Sequence, residues 1–100
     1  MPSDRIDRAV ALLHCRSHLD TLRSYARQEN WPRCRMTACR LWTEIEQSQP
    51  FPPGRQTWMV NTLRSLFAGT DHHADTLVLG VIEALVRDAC WHAQREERVA

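Results

Sequence analysis

The sequence predicts an all-α domain, a four-helix bundle made of two antiparallel helical hairpins, and three observations carry that expectation. Apolar residues recur at helical spacing in four separate segments, and no segment shows sustained alternation of β-branched residues. Gln49-Pro50-Phe51-Pro52-Pro53-Gly54 cannot continue a helix, because three prolines remove amide donors and push the residues before them toward extended backbone. A chain of 100 residues buries roughly 60 to 68% of its unfolded surface, enough for one modest core and no second domain.

Local signals place each element. Ser3 and Asp4 can cap a first helix over residues 4–28, since nothing breaks the chain until Gln28 to Pro32. Its apolar residues divide into two sets: Ile6, Ala9, Val10 and Leu13 on one side, and Cys15, Leu19, Leu22 and Ala26 on a roughly opposite one. Such a helix either bends or sits between two packing partners. Asn30-Trp31-Pro32 is a turn and a helix start, because proline in the first turn loses no needed hydrogen bond. Helix 2, over 32–48, then carries Trp31, Cys34, Ala38, Leu41, Trp42 and Ile45 on one side and Arg33, Arg40, Glu44 and Gln47 on the other.

After the proline-rich linker 49–54, helix 3 spans 54–68 and buries Met59, Val60, Leu63, Leu66 and Phe67, with Gly69 expected to end it in a left-handed conformation. Thr70 or Asp71 caps helix 4, over 72–97, where Asp71 and Asp75 favour the positive end of the helix dipole. Leu77 to Trp91 is the most apolar run in the chain. Only Gly80, Glu83, Arg87 and Gln94 form a polar strip, so this helix is expected to be covered on several sides. Helix 4 is therefore expected to be the interior element, and the surplus face of helix 1 the place where a partner or a second subunit docks.

The hydrophobic fraction of 43%, the charged fraction of 25% and a formal net charge of +1 are ordinary for a globular domain. The apolar run of helix 4 is interrupted by Glu83, Arg87 and Asp88 and is shorter than the about 20 apolar residues of a membrane span. No membrane partner is expected. The opening MPSDRIDRAV lacks the apolar region of a signal peptide, which points to a cytoplasmic location. With no secretion signal, Cys15, Cys34, Cys39 and Cys90 are expected to be free and mostly buried thiols.

Tyr25, Trp31, Cys34, Ala38 and Leu41 across the first helical junction resemble a single tetratricopeptide-like helical hairpin, although Leu22 stands where a small residue belongs and no second copy follows. Leu22-x3-Ala26, Trp31 and Leu41-x3-Ile45 also look like the small helical export chaperones of the flagellar FliT type, which are similar in length and helix count. That resemblance implies a protein-binding role.

Catalytic and metal signals are sparse. His14 and His18 are four apart on one helix face, a spacing that presents two imidazoles to one ion, but two ligands do not make a site and no metal or other cofactor is expected. Cys34 and Cys39 diverge around their helix, and Cys90 and His92 face apart. There is no glycine-rich phosphate loop and no nucleophile elbow, so a non-enzymatic protein is expected. Residues 16–40 hold six arginines (16, 23, 27, 33, 35 and 40) against Asp20 and Glu29. Arg23, Arg27, Arg33, Arg35 and Arg40 are thus candidates for an anion or nucleic-acid patch.

Four tryptophans stand in different settings. Trp42 belongs to a core face, whereas Trp58 points away from the apolar side of helix 3 and Trp91 lies at the edge of that of helix 4. Trp58 and Trp91, with Leu19 and Leu22 of helix 1, are the candidate partner-binding residues. The expected function is a small protein-protein interaction domain, of the chaperone, adaptor or inhibitor type, that takes an amphipathic helix of another protein or forms a homodimer. The alternatives are a nucleic-acid-binding regulator built on the arginine face and a metal-binding helical protein.

Overall fold

A computed structural model describes the backbone of residues 2–99 and the side chains of residues 7–95. Among the described residues the chain forms four α-helices and no strand: α1 (Pro2–Arg27), α2 (Trp31–Ser48), α3 (Pro53–Ser65) and α4 (His72–Val99). The bundle is elongated, about 45 × 22 × 18 Å. α1 packs on α2 and on α4, and α2 packs on α3, while Arg55 of α3 reaches Asp88 of α4 at 3.8 Å.

The boundaries follow from local chemistry. The Asn30 side chain caps α2 by accepting from the Arg33 amide at 3.4 Å, with Pro32 in the first turn. At the other end Gln49 adopts the left-handed conformation, and its N–H donates to Ile45 O at 2.9 Å. Gln56 Nε2 donates to the same carbonyl at 2.7 Å, tying α3 to the end of α2. Asp71 Oδ1 accepts from the Ala74 amide at 3.0 Å and so caps α4.

The proline-rich segment is more than a linker. Pro50 and Phe51 are buried in the core, and Arg8 Nε donates to Pro50 O at 3.1 Å, so the turn between α2 and α3 is pinned to α1. Proline there fixes φ at no cost to a ladder and adds apolar volume, which is why a stiff segment serves as core.

α3 ends earlier than its composition suggests. It stops at Ser65, Leu66 is extended, and Phe67 takes the left-handed conformation at φ 60° in place of Gly69. A bulky residue at positive φ costs on the order of 1–2 kcal/mol. Burial of Leu66 and Phe67 offsets it, and Phe67 stacks beside Trp31 at 5.8 Å and His72 at 6.4 Å. Trp31 and His72 stack at 4.3 Å, so one aromatic group closes the end of the bundle where α2 begins and α4 starts.

Arg35 holds the frayed end of α3. Its Nη1 reaches Leu63 O at 3.5 Å, Arg64 O at 2.7 Å and Leu66 O at 3.1 Å, carbonyls at and just beyond the last turn of α3. Replacing Arg35 with Ala is expected to cost about 2 kcal/mol, the scale of losing charge-assisted bonds in a half-exposed setting. A denaturant titration of the variant against the parent measures it; an unchanged midpoint means the guanidinium is idle.

α4 is not the interior element expected, whereas the surplus face of α1 is left open, with Val10 43% and Leu13 54% exposed. α1 lies between α2 and α4 and buries Leu12, Cys15, Leu19 and Leu22. α4 buries only Leu79, Ile82, Val86, Ala89, Cys90 and Ala93 along one side, leaving Leu77 63% and Val81 51% exposed. Each of the two helices is thus covered on one side and carries exposed apolar residues on another. Ile6, part of the first apolar set of α1, lies outside the residues whose side chains are described, while Val10 and Leu13 are exposed.

Candidate interaction surfaces

Burial removes two of the expected contact residues. Leu19 and Leu22 lie in the core, where α2 and α4 cover them, and neither is offered to a partner. Trp58 and Trp91 are exposed, at 41% and 51%. Trp91 is flanked by the Arg95 guanidinium, 4.7 Å from its ring, and by the edge of His92 at 5.1 Å. Such an Arg–Trp stack holds both side chains ready at little entropic cost.

The outer side of α4 has a regular pattern. Leu77, Val81, Ala84, Asp88 and Trp91 are all exposed, and they alternate by four and three residues along the helix. A 3.5-residue repeat keeps these side chains on one line, as in the seam of a coiled coil. Val78 and Leu85 stand half-buried beside it. Arg55 Nη1 of α3 lies 3.8 Å from Asp88 Oδ2 of this line. Gly80 occupies the middle of this helix with nothing near its absent side chain.

The arginines do not form one patch. Arg23 donates to Glu83 Oε1 at 2.9 Å across α1 and α4, so Glu83 is an ion-pair partner instead of a solvated acid. Arg35 is engaged with the end of α3. Arg27 lines a cleft between α1 and α4 with Arg23, Thr76, Gly80 and Glu83. Arg33 and Arg40 share a second groove, between α1 and α2, with Ser17, His18, Thr21, Tyr25, Met36 and Thr37. Sequence position alone could not separate the members of this set, because the carbonyl and carboxylate partners are 29 to 60 residues away.

His14 and His18 part company as well. His14 Nδ1 contacts Glu44 Oε1 at 3.2 Å, whereas His18 lines the α1/α2 groove. Among the described residues no three His, Cys, Asp or Glu side chains converge on one point. No helix among them is long and apolar enough to cross a membrane.

All four cysteines are free, and Cys39 is the least buried. Burial pushes the Cys15 thiol up to about 12, with the Glu44 carboxylate and then Cys90 adding to the effect. Burial also raises Cys34, and it raises Cys90 against the opposing pull of Arg16. These thiols are core hydrophobes, since the thiolate needed for nucleophilic or metal chemistry is disfavoured. Their weak donors point at Leu22 O from Cys34 and at Leu12 O from Cys90.

No known family model matches the chain, and no match is found among curated proteins or solved structures.

Proposed function

We propose that this domain is a non-enzymatic protein-protein interaction module, of the chaperone, adaptor or inhibitor type, that receives an amphipathic helix of another protein along α4. The observation that carries this reading is the exposed, heptad-spaced seam Leu77, Val81, Ala84 and Trp91. A partner helix laid at a shallow crossing angle would bury the two aliphatic residues and Trp91 together. Aromatic and Arg anchors at the edge of such a seam are the residue types that dominate binding energy. The resemblance to small export chaperones agrees with this kind of role, and a homodimer through the same seam would use the same contacts.

The test is a pair of exposed substitutions, Leu77→Asp and Val81→Asp, made together. Their effect on stability is expected to stay within about 0.5 kcal/mol per site, because neither residue is in the core. Proteins retained from a native-cell lysate by the parent should be lost by the double variant, and Trp91→Ala should reduce capture by itself. If the double variant retains the same proteins undiminished, α4 is not the docking face. Light scattering on both forms separates capture of another protein from self-association.

A further inference from the structure

The α1/α2 groove is a second surface, separate from the α4 seam. It is lined by residues that recur along one flank of each helix: Ser17, His18, Thr21 and Tyr25 of α1, and Arg33, Met36, Thr37 and Arg40 of α2. No carboxylate lines it. Glu44, one turn beyond Arg40 on α2, is engaged by His14 at 3.2 Å. Arg33 and Arg40 therefore face the groove without an acidic partner, and the groove is electrostatically incomplete.

The spacing narrows what could complete it. Arg33 and Arg40 are seven residues apart on α2, or about 10 Å along the helix axis, which matches two side chains two turns apart on a partner helix. Stacking of bases is disfavoured, because the Arg33 guanidinium already lies over the Tyr25 ring at 5.7 Å. The same stacking leaves the N–H edge of Arg33 free for a planar carboxylate. Between the two cations sits Met36, 54% exposed, an adaptable apolar contact in the middle of a polar groove. The hydroxyls of Thr21 and Thr37 donate to Ser17 O and Arg33 O of their own helices, so they offer no proton to an extended backbone. A helix satisfies its own backbone groups and needs none.

From this arrangement we infer that the α1/α2 groove binds an acidic amphipathic helix of a partner protein, with carboxylates seven positions apart meeting Arg33 and Arg40 and an apolar residue between them meeting Met36. The inference does not depend on the α4 seam, and either surface could operate without the other.

The experiment uses the whole domain and a short synthetic helix that carries two glutamates seven positions apart with leucines between, alongside the same peptide with lysines in place of the glutamates. By calorimetry or fluorescence anisotropy at low salt, the acidic peptide should bind the parent at least about tenfold more tightly than the lysine peptide, with affinity falling as salt is raised. Arg33→Glu with Arg40→Glu should reverse that preference, a change that loss of folding could not produce. Leu77→Asp with Val81→Asp should leave binding of the acidic peptide unchanged, which keeps this surface distinct from the proposed α4 site. Equal binding of the two peptides, or an acidic preference that survives the charge reversal, overturns the inference. Tighter binding of duplex DNA than of the acidic peptide, lost in the same charge-reversed protein, would also overturn it in favour of phosphate recognition.

Discussion

Between pH 9 and 12 the domain is expected to lose about 4 kcal/mol of stability through Cys15 alone. The folded thiol ionises near 12 and an exposed thiol near 9.0, so the native state holds its proton over a range in which the unfolded chain releases it. A group whose pKa is raised by folding contributes its full stabilisation below the unfolded value and loses it as pH rises toward the folded one. Three pH units at about 1.4 kcal/mol per unit give the figure above. A domain of this size holds only about 5–15 kcal/mol in total, so alkaline unfolding should begin within this window. Urea melts from pH 8 to 11 measure the slope, and Cys15→Ala should flatten it while lowering stability at neutral pH. A slope that Cys15→Ala leaves unaltered would assign alkaline sensitivity to other groups, with Cys34 and Cys90 next in line because burial raises both.

Leu22→Ala is expected to destabilise the domain by about 3 kcal/mol, within the range for truncating a fully buried leucine. Leu22 has no solvent exposure, and its carbonyl faces the Cys34 sulfur at 4.0 Å, so the cavity would open where α1 meets α2. Two helices joined by a three-residue turn have little freedom to collapse around it. The equilibrium denaturation midpoint of the variant reads the effect. A loss below about 1 kcal/mol would mean that Leu22 is less enclosed than it looks and would restore it as a contact residue.

Much of the fold was legible because its signals are local. Asn30-Trp31-Pro32 and Asp71 start helices where capping chemistry places them, and helical periodicity located all four segments. What failed was everything that depends on which faces meet. The apolar side of α4 is broad enough to suit an interior helix, but periodicity does not say how many neighbours a helix will have. Gly69 was a reasonable helix terminator, yet the burial of Phe67 moved the left-handed residue two positions upstream. The candidate surfaces divide in the same way. Exposure of Trp58 and Trp91 could be inferred from their position on each helix, whereas Leu19 and Leu22 look the same in sequence whether they face solvent or a neighbouring helix. The arginine set had to be sorted by partners far along the chain, and it divides between two grooves and the end of α3.

The α1/α2 hairpin has a particular place in the bundle. α1 packs on both α2 and α4, and α2 packs on both α1 and α3, so every other helix rests on this pair. Local opening at the ends of α3 or α4 leaves the α1/α2 contact in place, and the amides of the hairpin are expected to be the last to exchange with solvent.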